Sequence, residues 1–104
     1  MPTFMFTYRS PKDYQAGTPE GIAAWTAWFQ SIRADLLDIG RPVGESMAVG
    51  DCGSDIGPLG GYSLIRADDL AAARTVAKGC PFVDAGGGVE VGLLVDLPGT
   101  PSDS

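Results

Sequence analysis

Histidine is absent from all 104 residues, which removes the commonest general base and the commonest metal ligand from the chemistry open to this chain. Cysteine is almost as scarce. Cys52 and Cys80 are too few and too far apart for a disulfide framework or a zinc site, so reduced thiols are expected. Positive charge is thin: seven Lys and Arg stand against 13 Asp and Glu, a formal net charge of −6. Nucleic-acid binding needs a basic face that displaces counterions, and adsorption to anionic lipid needs much the same, so neither nucleic acid nor membrane is an expected partner. No apolar run approaches the roughly 20 residues that cross a bilayer. The opening MPTFMFTYRS has neither the basic region nor the long apolar segment of a secretory signal, which makes the cytoplasm the expected location.

What is present is globular material. Hydrophobic residues make up 44% and charged residues 19%, in a length suited to one domain with one modest core. That domain is expected over residues 1–96, with 97–104 (LPGTPSDS) as a flexible tail. Thr3 to Tyr8 alternates Phe4, Phe6 and Tyr8 with Thr3, Met5 and Thr7, the pattern of a strand buried on one side. Thr18-Pro19-Glu20 combines a capping hydroxyl, a first-turn proline and an early acid. Ile22, Trp25, Trp28, Phe29, Ile32, Leu36 and Ile39 then recur at helical spacing, predicting one long helix that stops at Gly40. Residues 42–49 predict a weaker edge strand and residues 50–59 a loop rich in Gly and Asp.

Residues 60–95 read as strand, helix, strand. Tyr62 to Ile65 is β-rich, Asp68-Asp69 offers a helix cap, and Leu70, Ala73, Val76 and Ala77 keep helical spacing. Gly79 takes the place of a left-handed helix terminator, Cys80-Pro81 blocks continuation, and Val89-Glu90-Val91 opens the last strand. The order βαββαβ suits an α+β, ferredoxin-like plan: a four-stranded antiparallel sheet with two helices on one face. The opposite face is then bare. Met5, Ile65 and Leu94 are assigned to it, and two such faces meeting on a two-fold axis predict a homodimer.

Three segments, AAWTAWF, GYSLIRADDLAAA and GCPFVDAGGGVEV, resemble the YCII-related (YCII-like, DGPF) proteins, and within them the branch with a tryptophan pair and a Gly-Cys-Pro…Gly-Gly-x-Val-Glu-Val ending. The resemblance runs from Phe4 to Val91. It implies a ferredoxin-like subunit that pairs sheet to sheet into a dimeric α/β barrel. Some YCII-like members resemble lyases or dehydrochlorinases with a histidine–aspartate pair in a cleft; this chain has no histidine to form one. The Asp-Gly-Pro-Phe motif of another branch is absent; the nearest fragment, Ile56-Gly57-Pro58-Leu59, lacks both the acid and the aromatic.

Acid–base chemistry without histidine falls to carboxylates, tyrosine or cysteine. Glu90 is either a base or ligand anchor in a cleft, or a strand acid that faces water or pairs with an arginine. Asp51, Cys52 and Asp55 share one loop, at a spacing that matches no calcium site. Cys80 reads as a small buried hydrophobe. Trp25, Trp28 and Phe29 are either plain core or the lining of an aromatic pocket. Tyr8 and Tyr62 lie on central strands, where a buried hydroxyl needs a partner. Gly86 to Gly88 lacks the lysine and the helix of a phosphate loop. Ligand contacts are therefore expected at Tyr8, Trp25, Tyr62 and Glu90, and any catalysis at Glu90, Tyr62 or Asp51, with no metal and no cofactor. Two functions stay open. One is a small-molecule-binding homodimer with an accessory or sensing role, its pocket between the first helix and the sheet or at the dimer cleft. The other is a small lyase or isomerase using carboxylate or tyrosine acid–base chemistry.

Overall fold

The alternating aromatic strand lies at the centre of the sheet. β1 (Thr3–Arg9) buries Phe4, Phe6 and Tyr8 and leaves Met5 exposed. The computed structural model describes residues 1–53 and 57–97; the expected tail beyond residue 97 lies outside them. β2 (Leu36–Asp38), β3 (Leu59–Arg66), β1 and β4 (Gly88–Leu93) stand side by side in that order, and every neighbouring pair is antiparallel. This is the ferredoxin-like arrangement, in which β3 and β1 occupy the middle of the sheet.

The first helix, α1 (Pro19–Ser31), starts as the sequence predicts: Thr18 Oγ1 accepts from the Gly21 amide at 3.1 Å. It ends earlier than predicted. Ser31 Oγ donates to the Trp28 carbonyl at 2.6 Å, a local bond that competes with helix continuation. A 3₁₀ turn over Arg33–Asp35 follows, and the chain then enters β2, where Leu36 pairs with Ile65. Leu36 and Ile39 keep helical spacing by coincidence; one is in the edge strand and the other just beyond it. Residues 42–49 form no strand: Pro42 makes a single bridge to Gly61, and Val43 N donates to the Gly60 carbonyl at 3.0 Å.

The second helix, α2 (Leu70–Ala77), is capped by Asp69, whose Oδ1 accepts from Ala72 N at 2.8 Å. Ala73 and Ala77 are its buried residues, small enough to bring the helix close to the sheet. Gly79 does not adopt the expected left-handed conformation. It makes room instead: a Cβ there would lie 3.0 Å from Trp28 Nε1. Pro81 does more than end α2. It begins a single turn, α3 (Pro81–Asp84), that carries Phe82 into the core.

Pairing corrects one face assignment. Ile65 lies opposite Phe4, so it shares the helix-covered face and is wholly buried. Leu64 takes its place on the open face, opposite Met5. The segment Tyr62 to Ile65 has apolar residues at both parities, so alternation alone leaves its phase undetermined. Met5 and Leu94 are exposed. Among the described residues no helix is long and apolar enough to cross a membrane.

Candidate functional site

An aromatic cleft of about 420 Å³ opens where α1, α3, the end of β1 and the start of β3 meet. Trp25 organises its wall. Its ring lies 4.9 Å from Tyr8 at 80° and 4.8 Å from Phe82 at 88°, while Phe29 tilts against it at 5.5 Å. Tyr14 meets Phe82 at 4.8 Å and 78°. These near-perpendicular contacts set ring edges against ring faces, the favourable quadrupolar geometry. They build a rigid apolar wall at low side-chain entropy cost. Its volume falls in the range of small-molecule sites, roughly 300–1,000 Å³.

The polar groups at this site are few and directed. Tyr8 Oη donates to Ser63 Oγ at 2.8 Å, and Ser63 Oγ donates to the Ile39 carbonyl at 2.6 Å. Burial pushes the Tyr8 phenol well above its ordinary range, with the Ser63 bond pulling weakly the other way. The phenol stays protonated and supplies no base. Arg41 borders the cleft and is exposed, with no carboxylate at ion-pair distance among the described residues. Gly40, beside it, has φ +71°, and a Cβ there would run into the Tyr62 carbonyl. Only glycine fits that turn.

A second cleft, open and polar, lies on Arg9, Lys12, Asp51, Cys52, Glu90 and the glycine run from Gly86 to Gly88. Glu90 Oε1 is 3.7 Å from an Arg9 guanidinium nitrogen, and the Glu90 side chain is 73% exposed. The expected site residues therefore divide. Tyr8, Trp25 and Tyr62 border the aromatic cleft; Glu90 and Asp51 line the polar one. Tyr62 sits opposite Thr7 on the exposed side of β3, so its ring does not share the face of Tyr8. Asp55 lies outside the described residues. Trp28 belongs to the core, stacked near Phe6 at 6.3 Å.

Cys80 is wholly buried ahead of α3, and its thiol is pushed up to about 11. Burial is the main cause, and the Phe82 and Val83 amides only partly offset it. Cys52 is exposed and free. Among the described residues no three Cys, Asp or Glu side chains are grouped to hold a metal ion.

Sequence reasoning missed Tyr14, Arg41, Ser63 and Phe82. Tyr14 lies in a polar loop, and Phe82 follows a proline that reads as a breaker. Only Ser63 left a signal: a lone hydroxyl among apolar neighbours on a central strand, which must find a partner when buried.

The family model described as YCII-related domain matches residues 1–95, so the chain belongs to that family. Among solved structures it is similar to 5-chloro-2-hydroxyhydroquinone dehydrochlorinase from Burkholderia phenoliruptrix AC1100, in complex with 2,5-dihydroxybenzoquinone. The TM-score is 0.60 at 17% identity, over 86% of this chain and 89% of that one. A search of curated proteins returned no match.

Proposed function

We propose that this YCII-related protein is a cytoplasmic homodimer that binds a small planar organic molecule in the aromatic cleft, in an accessory or sensing role. The observation that carries the reading is the wall formed around Trp25 by Tyr8, Phe29 and Phe82. Flat rings fit between such faces, and the exposed Arg41 guanidinium beside them attracts an anionic substituent. The structurally similar dehydrochlorinase, with a quinone bound, supports a ligand of this shape. Dimer formation is assigned to the open sheet face, around Met5, Leu64 and Leu94, where apolar side chains lack a covering layer. The test is ligand-observed NMR with a panel of one- and two-ring aromatic acids. Binding is expected, weakened by about tenfold or more in Trp25→Ala, since a truncated aromatic anchor removes most of its contact energy. Unchanged affinity in that variant sinks the reading.

A second reading, a lyase- or isomerase-type enzyme, draws on the likeness to a dehydrochlorinase. It is weaker on chemical grounds. The Tyr8 phenol holds its proton, and Glu90 and Asp51 stand at the other cleft. Loss of a measured turnover in Glu90→Gln, with fold and dimer intact, would reverse the ranking.

A further inference from the structure

The hydrogen-bond chain beside the cleft has a fixed direction. The Ile39 carbonyl only accepts, so the single Ser63 proton goes to it, at 2.6 Å. Ser63 Oγ is then an acceptor toward Tyr8, and the single Tyr8 proton goes to Ser63, at 2.8 Å. Reversing the chain would leave the Ile39 carbonyl without its Ser63 partner, an unfavourable exchange. Ser63 is wholly buried and Tyr8 is 4% exposed, so both hydroxyls find their partners inside the protein. The Tyr8 oxygen is thus left with lone pairs and no proton to offer.

From this directed chain, and resting on the small-molecule reading above, we propose that the cleft selects ligands carrying an O–H or N–H donor over ligands of equal shape that only accept. The ligand class is a hydroxylated or amino-substituted aromatic acid. The donor goes to the Tyr8 oxygen and the acid to Arg41. Tyr8 and Ser63 are the specificity-determining pair.

The test compares three matched series on the full chain by titration calorimetry: hydroxyaryl carboxylates of one and two rings, their fluoro counterparts and their acetyl counterparts. The hydroxy series is expected to bind about tenfold more tightly than either counterpart, the value of one well-placed buried hydrogen bond. Tyr8→Phe should abolish that preference. Ser63→Ala frees the Tyr8 proton for the cleft and should narrow or reverse the gap between hydroxy and acetyl members. Equal binding of the three series in the wild-type protein overturns the inference alone, as does a preference that survives Tyr8→Phe. Absence of binding by every series overturns the small-molecule reading and this inference with it. The wild-type ranking needs no variant, so a substitution that fails to fold leaves the test standing.

Discussion

Tyr8 and Arg9 are consecutive in β1, and they face different worlds. Tyr8 turns toward the helices, where Trp25, Trp28 and Ser63 enclose it. Arg9, its side chain 25% exposed, turns toward the open cleft, where its partner Glu90 lies 3.7 Å away with its side chain 73% exposed. Enclosure decides what a polar group is worth. On the covered side a hydroxyl must be satisfied, so its bond acquires one direction and a chemical meaning. On the open side the solvent around Glu90 screens the ion pair, which contributes little.

Substitutions made in pairs, one on each side, sharpen the contrast. The largest effect belongs to charge insertion. Ile65→Glu buries a carboxylate among Phe4 and Leu36 and is expected to unfold the chain, a loss of about 4 kcal/mol or more. Met5→Glu should keep the far-ultraviolet circular dichroism of the wild type and sediment as a monomer. A Met5→Glu dimer of native size would refute the interface assigned to that face.

A pair of glycines comes next. Gly40→Ala forces a side chain into the Tyr62 carbonyl at positive φ and should cost a few kcal/mol, roughly 2–4 by the scale of strained backbone sites. Gly88→Ala, in the polar cleft, meets nothing within 4 Å and lacks that φ, so its thermal midpoint should barely move.

The two cysteines give a pH-dependent test. Cys80 in the folded chain ionises at about 11 instead of its ordinary 9.0. Between those values the unfolded chain releases a proton that the folded chain retains, so stability falls as pH rises from 9 to 11. Tyr8, also raised by burial, extends the loss above its ordinary 10.0. Melting curves across this range should show the decline, reduced in Cys80→Ala. At neutral pH a thiol reagent should titrate Cys52 in the native protein and reach Cys80 only after denaturation. The smallest effect is Glu90→Gln, expected to change stability by less than about 0.5 kcal/mol in urea titration.

Local signals were legible in the sequence and long-range ones were not. The caps at Thr18 and Asp69 were readable because a cap involves residues three apart. The βαββαβ order was legible although its second strand, expected over 42–49, lies at Leu36–Asp38, and the family followed from three short segments. The end of α1 was hidden because Leu36 and Ile39 fit the helical stripe until pairing with β3 claims the chain. The face of Ile65 was hidden for the same reason, since only its partner Phe4 sets the parity. Tyr8 and Trp25 stood out as aromatic residues on regular elements. Tyr14 and Phe82 did not, because each reaches the cleft from a segment whose neighbours signal a turn.

The two tryptophans are divided between the cleft and the core. Trp25 borders the aromatic cleft, while Trp28 is buried against Phe6, and their rings are 5.7 Å apart. At that separation excitation energy passes freely between indoles. A flat molecule that absorbs where indoles emit and settles beside Trp25 would therefore darken both emitters together, although only one of them is within its reach.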